Sequence, residues 1–203
     1  MKIKEYRGIR GLVAAKMLTD DKEGITYDPP FEVAGTAELS RETENSSESH
    51  YYDNVPAIVI DSVGADTVTC SVSAIPLDVL AKLTGQRYDD TVGMLIEGER
   101  TSDYFAIGYI TEDTNGEEVF VWRLKVKCSI PSSTHATKND GTDANGQEIV
   151  FTGINTQHKF SATGATAKAV NLEMAKKLTT YTEAEFFAEV QTPDAVVAKK
   201  KAA

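Results

Sequence analysis

Residues 119–129, Val-Phe-Val-Trp-Arg-Leu-Lys-Val-Lys-Cys-Ser, alternate in polarity, with Phe120, Trp122, Leu124, Val126 and Cys128 at one parity and Arg123, Lys125 and Lys127 at the other. Successive strand side chains point to opposite faces of a sheet, so this segment predicts a β-strand with one core face and one basic stripe. The stripe needs an explanation in a chain of 203 residues whose formal net charge is −10. It is a solvated strand face, a nucleic-acid surface, or a row that meets acidic side chains on another copy. The aromatic residues lie at the opposite parity and the pI is near 4.8, which argues against phosphate binding by stacking and charge neutralisation. Complementary charged rows fix register between subunits and suppress wrong pairings, which suits the third account beside the solvated face.

Outward from this strand, β signals dominate. Asn115-Gly116 is a hairpin turn that joins it to Tyr104–Thr111, and Val92–Ile96 is a further strand candidate. Leu12–Leu18 predicts a strand near the start, followed by a polar loop over Thr19–Pro30. Phe31–Glu44 alternates, with Val33, Ala37 and Leu39 on one side and Thr36, Glu38, Ser40, Glu42 and Glu44 on the other. That makes an acidic comb opposite the basic stripe in character. Residues 42–50 are wholly polar and Tyr51–Asp61 reads as a returning strand, so the pair predicts a long hairpin whose tip leaves the core. Val63-Gly64 marks a turn before a half-buried strand in which Val68, Cys70 and Val72 alternate with Thr67, Thr69, Ser71 and Ser73.

The clearest helix is short. Pro76 fits its first turn, Leu77, Leu80, Ala81 and Leu83 recur at helical spacing, and Gly85 caps its end. After a polar loop over Pro131–Gly146, Gln147–Ile154 and His158–Thr163 predict two strands. From Lys168 onward, Leu172, Ala175 and Leu178 and then Phe186, Phe187 and Val190 have helical spacing. The expected architecture is mainly β, two packed antiparallel sheets as a sandwich with one short flanking helix and long assembly loops. Residues 1–193 form one domain in this reading, and 194–203, with Lys199-Lys200-Lys201, a flexible tail.

The chemistry suggested by motifs is mostly negative. There is no glycine-rich phosphate loop, GxSxG elbow, HExxH helix or CxxC pair, so no catalytic, cofactor or metal residue is assigned and no enzyme is expected. His50, His135 and His158 are widely spaced, and the loop 139–146 lacks both key carboxylates of a calcium loop. Cys70 and Cys128 lie in strand patterns and read as buried thiols. The start of the sequence has positive charge without an apolar stretch, and no run approaches a membrane span of ~18 residues. Synthesis in the cytoplasm is expected.

The ordered set Gly8-Ile-Arg-Gly-Leu12, Ala37-Glu-Leu-Ser-Arg-Glu42, Tyr52-Asp53-Asn54, Leu77–Gly85, Tyr104-Phe-Ala-Ile-Gly-Tyr109, Asn115-Gly116, Phe120-Val-Trp-Arg123 and Glu185-Phe-Phe-Ala-Glu-Val190 resembles the major tail proteins of long-tailed, non-contractile bacteriophages. The long polar loop after Pro131 and the section 165–177 depart from that pattern. The resemblance implies a structural virion protein without enzymatic activity. It would be made in the bacterial host cytoplasm and would polymerise as stacked hexameric rings into the tail tube. Its partners would be further copies of itself with tape-measure, tail-tip and tail-terminator proteins, and DNA would pass through the channel without specific binding. Under that reading Glu38, Glu42 and Glu44 are lumen-facing candidates, since an acidic channel repels phosphates. Arg123, Lys125 and Lys127 are inter-subunit candidates, and Asn45, Ser46, Ser47, Glu48, Ser49 and His50 form the ring-stacking loop. A secreted adhesive or carbohydrate-binding β-sandwich is the alternative class; it calls for a secretion route and an exposed aromatic platform.

Overall fold

The computed structural model describes residues 3–137, 145–174 and 181–202. The chain runs through β1 (Tyr6–Asp20), β2 (Ile25–Tyr27), β3 (Phe31–Glu32), β4 (Thr36–Tyr52), β5 (Val55–Val72), α1 (Leu77–Thr84), β6 (Arg87–Asp89) and β7 (Met94–Ile96). It continues with β8 (Phe105–Asp113), β9 (Glu118–Cys128), β10 (Ser132–Ser133), β11 (Gln147–Gly153), β12 (Ala169–Glu173), α2 (Glu183–Ala188) and α3 (Pro193–Ala202). The fold is mainly β, and among the described residues every strand pair is antiparallel, in one sheet of ten strands and a second formed by β6 and β7.

The large sheet has the order β2-β1-β8-β9-β11-β5-β4, with β3 on β1, β10 on β11 and β12 on β9. It curls on itself, because residues from both ends of that order share one core. Leu12 and Ala14 of β1, Phe105 and Ile107 of β8, Val126 of β9, Ile149 and Phe151 of β11 and Val68 and Cys70 of β5 pack together inside the curl. Leu83 of α1 closes this core. The helix is defined as its sequence predicts: Gly85 caps it at φ 70°, its N–H donating to Ala81 O at 2.8 Å. A Cβ on Gly85 would lie 2.1 Å from the Thr101 carbonyl oxygen. Gly85→Ala is therefore expected to lose at least the ~1–2 kcal/mol that left-handed backbone costs a side-chain-bearing residue, read as a lowered urea midpoint.

The outer face of β1, β8 and β9 is covered in turn by the C-terminal segment. Trp122, Phe120, Ala106 and Ile110 pack there against Tyr181, Phe186 and Val190. Trp122 donates its indole N–H to Phe186 O at 3.2 Å, and the Phe120 and Phe186 rings meet edge-on at 5.0 Å. Helix α2 begins with a capping box between Thr182 and Glu185. Both faces of β9 are thus buried, which a strand of strict alternation does not foretell.

The alternation itself breaks. Phe105 pairs with Val126 but Ile107 pairs with Arg123, so β9 carries one extra residue between these points. Arg123 consequently shares the inner side with Val126 and Cys128, while Phe120, Trp122 and Leu124 face the C-terminal segment. The single basic stripe expected over 123–127 does not exist as one face.

Four other expectations change. Val63-Gly64 is not a turn but part of the continuous strand β5, and residues 44–50 are not a loop but the outer half of β4, paired with β5 up to Tyr52. His158–Thr163 is a turn region holding one isolated bridge, Phe160 to Ala165, rather than a strand. Residues 169–173, given helical spacing by Leu172, form β12 because the edge of β9 is free there to pair; Ala175 and Leu178 lie outside the described residues. Separately, residues 194–202 belong to α3, whose Asp194 carboxylate accepts the backbone N–H groups of Ser161 and Ala162. Most of the loop stretch 139–146 lies outside the described residues. Among the described residues no helix is long and apolar enough to cross a membrane.

Candidate functional site

The feature without a place in either core is the outer part of the hairpin of β4 and β5. Strand β5 pairs with β11 only from Asp66 to Val72, whereas its pairing with β4 continues to Val55 and Tyr52. Residues 44–64 therefore leave the sheet as a two-stranded arm of about 30 Å, at ~3.3 Å per residue. Its tip is a two-residue turn in which Asp53 and Asn54 have φ of 51° and 66°, as primed hairpin turns require. At its root a Cβ on Gly64 would sit 2.6 Å from a Glu44 carboxylate oxygen, so glycine permits the close strand approach.

The two strands of the arm differ in chemistry. The β4 half is Asn45-Ser-Ser-Glu-Ser-His50, and the β5 half is Val55-Pro-Ala-Ile-Val-Ile60. Ile58 and Ile60 lie opposite His50 and Glu48 on one face, and Val59 and Val63 opposite Ser49 and Asn45 on the other. All are exposed, with Val55 at 60%, Ile60 at 55% and Val63 at 67%, as are Tyr51 and Tyr52 beside the tip. An apolar strand exposed on both faces with an unpaired edge invites pairing with another chain. The arm carries Glu44, Glu48, Asp53 and Asp61 and neither lysine nor arginine.

Where the arm leaves the sheet, the interior of the curl changes from apolar to ionic. Asp66, 3% exposed, accepts from Arg123 Nη1 at 2.7 Å, from Thr43 Oγ1 at 3.0 Å and from Lys168 Nζ at 3.2 Å. Lys168 Nζ also donates to the Gly64 carbonyl, and Arg123 Nε donates to the Tyr109 hydroxyl at 3.3 Å. Burial pushes the Asp66 carboxyl up, but the hydrogen bonds from Lys168 and Thr43 and the charges of Arg123 and Lys168 outweigh it, leaving the group below its ordinary value. This cluster floors a cleft of about 1180 Å³ that opens between Tyr6–Ile9 of β1 and Ala37–Thr43 of β4.

The inter-subunit candidates separate. Arg123 and Lys125 are each 5% exposed and meet carboxylates of their own chain, Asp66 for Arg123 and Asp20 at 2.6 Å for Lys125. Both charges are thus paired inside one copy. Asp20 also accepts the backbone N–H groups of Gln157 and His158, and these bonds with Lys125 hold it below the carboxylate range against the opposing effect of burial. Lys127 alone is exposed, its ammonium 5.4 Å from the Tyr104 ring centroid.

The lumen candidates keep company with residues that sequence did not connect to them. Glu38 and Glu42 pair across to Ser71 and Thr67 of β5, which pair in turn to Glu148 and Thr152 of β11, and Thr152 to Lys127 of β9. The outer face of β4, β5 and β11 is thus a largely polar surface of Ser, Thr and Glu around Val150, with Lys127 at its border. Glu44 stands apart, beyond a register shift between Thr43 and Asn45 at the root of the arm. Asn45–His50 lie on the arm itself. His50 and His135 are exposed at separate places, while His158 packs on Phe160 at 5.2 Å. Cys70 and Cys128 are buried in the apolar core, and burial pushes each thiol up to about 12.

Asp66, Lys168, Arg41 and the apolar side of the arm escaped the sequence reading. The one available signal was the run Val55–Ile60, unbroken by polar residues yet paired with a wholly polar segment.

No protein-family model matches the sequence, and no curated protein matches it. Among solved structures, a chain of the anti-feeding prophage baseplate (cryo-EM, six-fold symmetrised) aligns over 80% of this chain and 91% of its own length, at 9% identity and TM-score 0.39. A chain of the tube-terminating cap of the same prophage aligns over 80% and 87%, at 8% identity and TM-score 0.35. Both likenesses are distant in sequence and in superposition.

Proposed function

We propose that this chain is a structural virion protein that polymerises as stacked hexameric rings into the tail tube of a long-tailed, non-contractile phage, forming the channel for DNA ejection. The observation that carries the reading is the arm of residues 44–64, which presents Val55, Ile58, Val59, Ile60 and Val63 to solvent in a single copy. At about 25 cal/mol per Å² such surface is costly to leave wet and gains stability once a neighbour covers it. Repetition of one arm contact around and along a tube multiplies a modest affinity. Asn45–His50, as part of the arm, are the ring-stacking segment in this scheme.

The polar outer face of β4, β5 and β11 is the lumenal surface, with Glu38, Glu42 and Glu148 repelling phosphates and Lys127 at its margin, directed to the neighbouring subunit. Glu44, at the arm root, is a lumenal candidate of the ring junction. The tape-measure, tip and terminator proteins are the heterologous partners. Electron microscopy of the purified protein tests the proposal: rings or tubes are the expected particles, and a strictly monomeric protein at every concentration tried overturns it.

A further inference from the structure

Resting on that self-assembling reading, we infer that the cleft between β1 and β4 is the socket for the arm of a second copy, which enters as a strand. The cleft lies at the seam of the curled sheet, between two strand edges that have no partner among the described residues. Strand β1 pairs with β3 only at Val13 and Ala14 and with β2 only from Met17 onward, so Tyr6–Gly11 offers a free edge. The far edge of β4 is likewise unpaired, because β4 ends the strand order. Free edges flanking a groove are the setting in which an extended segment adds to a sheet through its main chain.

Three properties select the arm as occupant. At about 1180 Å³ the cleft exceeds the ~300–1,000 Å³ of small-molecule sites, and its border of two free strand edges suits polypeptide. Its walls offer Ile9, Val119 and Val121 beside Arg7, Arg41 and Lys168, which with Arg123 outnumber the lining carboxylates Glu38 and Asp66. The arm offers the complement, an apolar strand flanked by Glu48, Asp53 and Asp61 with no basic residue. Arg41 is half exposed, 3.9 Å from Asp66, which Arg123 and Lys168 already satisfy, and donates to the Thr43 hydroxyl at 3.3 Å, a bond that an incoming carboxylate can replace; Arg7 is exposed. An arm cannot fill its own cleft, since its root residue Val63 is already part of that cleft's wall and the strands run outward from there. The seam is therefore completed only by a neighbour.

Two full-length variants, each with one added exposed cysteine beside the buried Cys70 and Cys128, test this, Val59→Cys on the arm and Arg7→Cys in the cleft, mixed and treated with a short bismaleimide. Heterodimers should accumulate at least about tenfold faster than in a mixture of Val59→Cys with Lys82→Cys on α1, a difference of ~1.4 kcal/mol in contact preference. Equal yields in the two mixtures, in a sample that still forms tubes by electron microscopy, overturn the socket while leaving self-assembly standing. As a second readout, Arg7→Glu/Arg41→Glu should raise the concentration needed for assembly about tenfold, and adding Glu48→Lys/Asp61→Lys should restore it. Failure of the reversed charges to rescue, with each variant folded by circular dichroism, also counts against the socket.

Discussion

Asp66→Ala is expected to cost about 3–5 kcal/mol of folding stability, the range measured when one member of a buried ion pair is removed. Arg123 is 5% exposed and its Nη1 lies 2.7 Å from Asp66 Oδ2, so deleting the carboxylate leaves a guanidinium in the floor of the cleft with only the Tyr109 hydroxyl beside it. Lys168 and Thr43 lose their acceptor at the same time, and with them the tie between the arm root and the sheet. Against a total stability of ~5–15 kcal/mol the loss is large. Urea denaturation below the assembly concentration measures it. The double variant Asp66→Leu/Arg123→Met should be far less damaging than Asp66→Ala, since apolar replacement of both partners removes the stranded charge along with its mate. A cost under about 1 kcal/mol for Asp66→Ala would mean that water reaches Arg123 and that the cluster does not hold the arm.

The same cluster sets the acid side of the stability profile. Folding lowers the Asp66 and Asp20 carboxyls below their unfolded values, so the unfolded chain binds their protons first as pH falls. Their contribution is complete above the unfolded value of about 3.9 and is lost as pH drops below it through the folded values. The Asp66→Ala variant should accordingly lose less stability than the parent between about pH 5 and pH 2.

Local rules that act over a few residues were legible. Gly85 required the left-handed cap, Asn115-Gly116 the turn between β8 and β9, and Val68, Cys70 and Val72 the inner face of β5. What was hidden depends on partners remote in sequence. The bulge in β9 is set by its register with β8, and nothing in Arg-Leu-Lys-Val announces the extra residue. The basic side chains of that strand were visible, but their satisfaction by Asp66 and Asp20, respectively 57 and 105 positions away, was not. Helical spacing of Leu172 yielded to β12 because pairing with β9 satisfies a backbone edge that local propensity does not register. The arm was half legible: the returning strand Tyr51–Asp61 and a hairpin tip that leaves the core follow from the sequence, but nothing local announces that the apolar run Val55–Ile60 stays exposed.

Replacing residues 46–62 by Asn-Gly, which joins Asn45 to Val63 through a two-residue hairpin turn, is expected to abolish polymerisation and leave the domain folded. The removed segment contributes no residue to either core, and its side chains are exposed throughout. The melting temperature should move by less than about 3 °C, corresponding to under ~1 kcal/mol in a chain of this size. Removal of the apolar strand should also raise the solubility of the monomer, because the segment combines high β-propensity, an open edge and a single proline. Sedimentation together with electron microscopy reads the outcome. The two effects are linked by where free energy resides: the domain is held by its two cores and by Asp66, while the arm has gains to make only against another chain. Tubes of normal length from the armless protein would place the polymer contacts on the sheet edges instead. A domain that melted far below the parent would show that the arm folds back on its own copy, which its exposure on both faces opposes.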